Sequence, residues 1–165
     1  MEGISVKGLT YYYPGESTPA LEDVTFELRS PYYVVVMGPN GAGKTTLVKV
    51  LVGLISGYKG EVSVYGVNPL TSRKSLSRIV GYVPQIINVN EIVPMRVRDI
   101  IKMGLLSLQK PPRILTRKDE RLIEETIERL KLKGYEDKLF SELSGGLKQR
   151  VMIARALIKR PRVLI

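Results

Sequence analysis

The 165-residue chain has the length of one ordinary domain, and its apolar fraction of 44% is enough to build a buried core. It contains no histidine and no cysteine, which excludes disulfides, thiol chemistry, an imidazole base and histidine-ligated metal sites. No apolar run approaches the roughly 20 residues of a membrane-spanning helix, and the first residues do not resemble a signal peptide. The net charge of +10 could indicate a nucleic-acid or lipid partner, but the basic residues are scattered and are not interleaved with aromatic residues. We therefore interpret the charge as a solvated surface and expect no nucleic-acid partner.

In chain order, the first elements predict an antiparallel β layer and then a buried strand. Residues 4–13 are typical of a strand and end at a Pro-Gly turn, and residues 24–28 alternate between apolar and polar side chains. Residues 61–65 alternate in the same way and are expected to rejoin this layer. Residues 32–37 are instead apolar throughout and rich in valine, which is typical of a strand buried on both faces of a parallel sheet.

A first helix is predicted from about Lys44 to Val52, followed by Gly53 as its stop. Further buried strands are predicted at residues 79–83 and 162–165. Between them the character changes to helical, with apolar residues at helical spacing over 97–106, 118–131 and 144–159. Thr116 is a suitable N-cap for the second of these helices and Gly134 a suitable stop, while residues 110–113 predict a loop.

A glycine-rich loop connects the buried strand of residues 32–37 to the first helix. It consists of Gly38, Pro39, Asn40, Gly41, Ala42, Gly43, Lys44 and Thr45, and it matches G-x-x-x-x-G-K-[ST] without a mismatch. Glycines let several backbone N–H groups converge on phosphate oxygens, and the next helix points its partially positive N-terminus at the same place. Lys44 can reach the terminal phosphates of ATP, Thr45 can offer its hydroxyl to Mg²⁺, and Thr46 either contacts the α-phosphate or extends the helix cap.

A second serine-glycine segment opens the last predicted helix. Ser144 is a good N-cap, and Gly145 and Gly146 expose backbone N–H groups, so this segment is also suited to an anion. One bound nucleotide does not need two anion-binding helix N-termini in the same small domain. They are consistent with two copies that face each other, each closing the other's site.

With these motifs the sequence resembles the ABC ATPases, the nucleotide-binding subunits of ATP-binding cassette transporters. The resemblance covers the whole chain and keeps the order of the family's motifs. Residues 38–46 resemble the Walker A motif, Gln85 resembles the glutamine of the Q-loop, and residues 143–146 resemble the signature motif. Tyr13 resembles the aromatic residue that stacks on adenine.

Simpler interpretations of single residues stay open. Tyr13 could be an ordinary strand residue, with Tyr11 or Tyr12 as the stacking ring instead. Gln85 could be a solvated loop residue, and Ser144 could be only a helix cap.

The resemblance implies an α/β fold, that of a P-loop NTPase with a RecA-like core, an antiparallel β subdomain and an inserted helical subdomain. The predicted division is 1–30 and 57–66 for the β layer, 31–56 for the P-loop core, 86–142 for the helical subdomain, and 143–165 for the signature helix and the start of the Walker B strand.

The resemblance also implies ATP and Mg²⁺ as cofactors, with Lys44 and Gln85 in catalytic roles and Thr45 and Gln85 near the metal. The expected partners are transmembrane permease subunits and a second ATP-binding cassette, most simply in a homodimer. The expected location is the cytoplasmic face of the cell membrane. Residues 93–101 resemble the corresponding segment of importers for metal ions or iron chelates, so the predicted function is to energise such an importer.

Two departures from the family pattern change the expectation. Leu147 replaces the usual glutamine after the signature glycines, which puts one polar contact in doubt. In the family, residues 162–165 would lead into the Walker B aspartate and the catalytic glutamate, so these 165 residues resemble a truncated member or a fragment of a longer one. The alternative functions are therefore a cassette that binds nucleotide without efficient hydrolysis, or a soluble ABC protein that acts on nucleic acid or the ribosome. The short insertion and the single cassette favour the transporter.

Overall fold

The computed structural model describes residues 3–85, 94–107, 109 and 112–165. The predicted helical subdomain and the predicted loop at residues 110–113 therefore lie partly outside the described residues. The chain divides into two compact units, unit 1 from Met1 to Leu76 and unit 2 from Ser77 to Ile165.

Unit 1 contains an antiparallel sheet. Its strands are β1 (Gly3–Tyr11), β2 (Leu21–Arg29) and β3 (Lys59–Val64), in the order β2-β1-β3. On the central strand Ile4 lies opposite Leu28 on one side and Val64 on the other, and Ile4 and Val64 are buried. Because apolar residues alternate along each strand, one face of the sheet is buried and the other carries polar side chains. The antiparallel arrangement predicted for these three segments is present.

The predicted buried strand at residues 32–37 is wrong in this structure. The described chain has no strand there, and Tyr33 and Met37 are 93% and 84% exposed. A valine-rich run has only a local preference for extended backbone, whereas a strand also needs neighbours that accept and donate its ladder hydrogen bonds. Among the described residues the parallel strand pair is formed by residues 80–81 and 163–164. Residues 32–37 therefore have the composition of a strand but no neighbouring strand to pair with.

Helix α1 (Lys44–Leu51) follows the glycine-rich loop, as predicted. Its C-terminal residue is followed by Val52 and by Gly53, whose φ of +75° lets the chain leave the helix. Helix α2 (Arg73–Ile79) has no counterpart among the predictions.

The described residues of unit 2 contain a short parallel pair of strands and three packed helices. Strands β4 (Val80–Gly81) and β5 (Val163–Leu164) pair in parallel, so both predicted strands are present but shorter. The predicted burial of the second strand is only half right, because Val163 is buried and Leu164 is 47% exposed. The first is shortened because Ile79 already belongs to α2.

The helices of unit 2 are α3 (Val97–Leu106), α4 (Arg117–Arg129) and α5 (Gly145–Leu157), with a short 3₁₀ turn at Phe140–Glu142 before α5. Their buried faces share one apolar cluster that includes Val97, Ile100, Ile101, Ile123, Ile127, Val151 and Met152. On the outside Arg98 of α3 pairs with Glu120 and Glu124 of α4.

Helix α4 ends earlier than predicted. The predicted stop at Gly134 is wrong, because the helix closes at Arg129 and Lys131 adopts a φ of +54°. The N–H of Lys131 bonds to the carbonyl of Glu128, and the N–H of Leu132 bonds to that of Ile127. These two bonds form a Schellman motif, and the burial of Leu132 supplies its hydrophobic contact. Burial of Leu132 therefore ends the helix at a lysine, before the glycine that the sequence offers.

The predicted N-cap of α4 is present. The Thr116 hydroxyl accepts a hydrogen bond from the Asp119 N–H at 3.2 Å, and the Asp119 carboxylate accepts one from the Thr116 N–H at 2.8 Å. We expect Thr116→Ala to lower the free energy of unfolding by about 1 kcal/mol and Thr116→Ser to be nearly neutral. Urea denaturation of both variants measures the difference, and equal midpoints for alanine and serine would exclude the capping role.

The same cap makes stability depend on pH. Hydrogen bonds from the backbone and hydroxyl of Thr116 hold the pKa of Asp119 below its ordinary value. The contribution of Asp119 is therefore present above its unfolded pKa and is lost as the pH falls through the lower folded value.

Candidate functional site

The glycine-rich loop of unit 1 is exposed and leads directly into α1. Gly43 is the N-cap of the helix, with a φ of +78°, a left-handed conformation that a side-chain-bearing residue rarely adopts. A Cβ on Gly43 would lie 2.3 Å from the Ala20 carbonyl oxygen and 2.8 Å from Leu21 Cδ2. The start of α1 therefore packs against the residues that lead into β2, and this contact fixes where the helix N-terminus points.

The helix start is suited to an anion. The N-terminal turn of an α-helix has amide N–H groups without partners inside the helix, and here no side chain caps them. The first turn of α1 also contains no acidic residue that would repel an anion.

Lys44 lies across the loop. Its Nζ donates hydrogen bonds to the carbonyl of Gly38 at 2.8 Å and to that of Pro39 at 2.5 Å. These two neutral carbonyls hold the ammonium group at the start of the loop and leave its positive charge unbalanced. Thr45, the next residue, is exposed.

Tyr13 contacts the same helix. Its hydroxyl and Thr46 Oγ1 form a hydrogen bond of 3.1 Å. Tyr11 is 9% exposed inside the sheet, whereas Tyr12 and Tyr13 are 44% and 38% exposed. The sequence named Tyr13 as the stacking ring, with Tyr11 and Tyr12 as alternatives. In the structure the Tyr13 hydroxyl is hydrogen-bonded to a residue of α1. The geometry therefore favours Tyr13 as the ring beside a nucleotide.

Two predicted site segments belong to unit 2. Gln85 is exposed and is the last described residue before the gap at 86–93. Ser144 is the N-cap of α5 but forms no capping hydrogen bond with its side chain. Gly145 and Gly146 are exposed, and a Cβ on either would meet no atom within 4 Å. The described structure thus leaves the Ser144 hydroxyl and both glycines accessible, as a contact with a partner's nucleotide would require.

The comparisons with known proteins agree with these features. A sequence model of the ABC transporter family matches residues 21–165. The chain belongs to the ABC transporter family. It is 32% identical over 98% of its length to the zinc uptake system ATP-binding protein ZurA of Listeria monocytogenes, covering 62% of that protein. It is 34% identical over 98% of its length to the manganese transport system ATP-binding protein MntA of Synechocystis, covering 61%.

The chain is also similar to a solved structure of the ATP binding subunit of an ABC transporter, with a TM-score of 0.81 and 25% sequence identity. The match covers 98% of this chain and 64% of the solved chain. These matches confirm the predicted α/β fold of a P-loop NTPase with an antiparallel β part. The chain spans about three fifths of the length of the two curated relatives named above.

The departure at Leu147 has a structural reason within this ABC chain. Leu147 is half-buried and packs against the apolar cluster of unit 2, so its side chain serves the helix packing. Glu142, at the end of the 3₁₀ turn, accepts a hydrogen bond from the Leu139 N–H at 3.2 Å. Glu142 is exposed, and this bond connects its carboxylate to the residue that precedes the turn.

The residues that sequence reasoning missed are Ala20 and Leu21, which pack on Gly43. No ABC motif marks them, and their contact depends on the path of the chain between β1 and β2. The parts of the chain that the structure describes hold no group of three or more His, Cys, Asp or Glu residues suited to a metal, and no helix there is long and apolar enough to span a membrane.

Proposed function

We propose that this chain provides the ATP-binding part of a subunit that energises a membrane importer of metal ions. The observation that carries the proposal is the loop at residues 38–46. Its helix opens on a left-handed glycine and has no acidic residue in the first turn, and the Lys44 ammonium is held by the carbonyls of Gly38 and Pro39 in the same loop. Backbone donors, a helix N-terminus and a lysine are the groups that bind nucleotide phosphates in P-loop proteins.

The residues present also fit Mg²⁺ bound together with ATP. Thr45 lies next to Lys44 with an exposed side chain, so its hydroxyl is the ligand that unit 1 would offer to Mg²⁺. Mg²⁺ would neutralise charge on the phosphates, while Lys44 and the amides of α1 would orient the terminal groups. From the family resemblance we assign Gln85 as a further metal-site residue, and Ser144, Gly145 and Gly146 as residues that would cover the nucleotide of a second cassette.

The names of the relatives indicate the class of cargo. ZurA is named for zinc uptake and MntA for manganese transport, and each is more than 30% identical to this chain. We therefore propose a metal ion as cargo, permease subunits as membrane partners, and a location on the cytoplasmic face of the membrane.

Lys44→Ala tests the ATP proposal. The variant is expected to weaken ATP binding about 10- to 100-fold, because a charge-assisted hydrogen bond contributes roughly 1.5–3 kcal/mol. Isothermal titration of ATP measures the change. Lys49→Ala is the matched control, since it removes the same charge from the last turn of α1 and is expected to change affinity less than about twofold. Equal losses in both variants would mean that only the net charge attracts ATP and that the loop does not bind it.

A further inference from the structure

The end of β1 is connected to the phosphate loop by four contacts within unit 1. The rings of Tyr11 and Tyr13 form an edge-to-face pair with centroids 5.1 Å apart and planes at 78°. The Tyr13 hydroxyl is hydrogen-bonded to Thr46. The Tyr11 carbonyl accepts the Ala20 N–H at 2.8 Å, and the carbonyl of Ala20 is the group that packs on Gly43.

We propose that Tyr11 and Thr46 are positioning residues that hold the Tyr13 ring at a fixed place relative to the phosphate loop, and so align the base of the bound nucleotide with its phosphates. The proposal rests on the proposed ATP function. It adds that the Tyr13 hydroxyl acts in nucleotide binding through Thr46, separately from any stacking by its ring.

Thr46 is a rigid anchor for this contact. It lies in the first turn of α1 and is 5% exposed. Threonine in a helix has two main χ1 rotamers, so its hydroxyl has only a few positions from which to follow a displaced partner. The hydrogen bond to Tyr13 therefore holds the tyrosine ring where the helix places the hydroxyl.

Tyr11 restrains the ring from the other end. It is buried in the sheet, whereas Tyr13 keeps part of its surface exposed. An edge-to-face contact prefers a narrow range of geometries, so a buried Tyr11 limits the tilt of Tyr13 and leaves the exposed part of the Tyr13 ring for a base. The Tyr11 carbonyl also accepts a hydrogen bond from the N–H of Ala20, which packs on Gly43 of the loop. Tyr11 therefore contacts both the Tyr13 ring and the residue that packs on the loop.

A double-mutant cycle tests the hydroxyl contact. Tyr13→Phe keeps the ring and removes the hydroxyl, and Thr46→Val removes the other half of the bond with little change in volume. We expect Tyr13→Phe to weaken ATP binding about 3- to 10-fold, as the loss of one ordinary hydrogen bond would. We expect the double variant to bind ATP no more weakly than Thr46→Val alone, because the two residues act through one contact.

Inorganic tripolyphosphate serves as the second ligand, since it carries phosphates without a base. Tyr13→Phe is expected to bind tripolyphosphate as the wild-type chain does. Equal losses for ATP and tripolyphosphate, additive effects in the cycle, or unchanged ATP binding by Tyr13→Phe would each overturn the positioning role. A wild-type chain that binds neither ligand would instead overturn the ATP function, and this proposal with it.

Tyr11 is tested by three variants. Tyr11→Leu removes the ring and is expected to weaken ATP binding about 3- to 10-fold with no change for tripolyphosphate, whereas Tyr11→Phe should bind both ligands normally. Tyr12→Leu is the matched control, because Tyr12 is more exposed and lies outside the ring pair, and it should match the wild type. Circular dichroism checks that each variant is folded. If Tyr11→Leu unfolds, the comparison of Tyr13→Phe between the two ligands still decides the proposal. Equal ATP affinity for Tyr11→Leu and Tyr12→Leu would contradict the role of Tyr11.

Discussion

Gly43→Ala is expected to lower the free energy of unfolding by about 2–5 kcal/mol and to remove detectable ATP binding. The left-handed backbone at this position costs an alanine about 1–2 kcal/mol, and forcing a methyl group into a packed contact adds roughly 1–3 kcal/mol. The contact is severe because the new Cβ would lie 2.3 Å from the backbone oxygen of Ala20, which cannot rotate away as a side chain could. Either α1 or the start of β2 must move, and both changes displace the amide groups of the helix N-terminus.

Gly41→Ala is the control that separates the two costs of Gly43→Ala, which are the steric clash with Ala20 and the strain of the left-handed backbone. Gly41 has a φ of +83°, close to that of Gly43, but a Cβ there would meet no atom within 4 Å. We expect Gly41→Ala to cost only the strain of about 1–2 kcal/mol and to keep measurable ATP binding. Urea denaturation and ATP titration of the two variants give the comparison. Equal losses of stability would show that Ala20 does not restrict the loop.

The parts of the site that were predictable from sequence are those whose chemistry is local. The order of residues 38–46 specifies a loop, a helix start and a lysine without reference to any distant residue, and the structure contains all three. Thr116 was predictable for the same reason, since a cap bonds to a residue three positions away.

What could not be predicted depends on partners distant in sequence. Residues 32–37 have the composition of a buried strand, but burial requires neighbouring strands, which no local pattern supplies. The sequence resemblance selected Tyr13 over Tyr11 and Tyr12, but it could not predict the hydrogen bond of Tyr13 to Thr46, which lies 33 residues away. Lys131 takes the left-handed place at the end of α4 because Leu132 is drawn into the core, and this tertiary effect outweighs the preference for glycine.

Gly104 in α3 is the position in unit 2 where a single methyl group should do most damage. A Cβ there would lie 2.3 Å from the Arg155 carbonyl oxygen and 2.6 Å from Ile158 Cγ2, because α3 and α5 approach closely at this glycine. Gly104→Ala should gain about 1 kcal/mol in helix propensity, whereas forcing the methyl group into a packed contact costs about 1–3 kcal/mol. We therefore expect a net loss of up to about 2 kcal/mol, because both helices must separate along a packed core.

Gly146→Ala is the matched test of that balance between propensity and packing. Gly146 is also in a helix, but a Cβ there would lie in open space, so only the gain in propensity remains. We expect it to raise the free energy of unfolding by up to about 1 kcal/mol, opposite in sign to Gly104→Ala. Urea denaturation gives the two signs, and hydrogen exchange of the α3 and α5 amides shows whether the loss is confined to their contact. If both variants stabilise the chain, the close approach of α3 and α5 is not a constraint on the fold. If the signs differ as expected, the close approach of α3 to the end of α5 at Gly104 is a constraint on the fold.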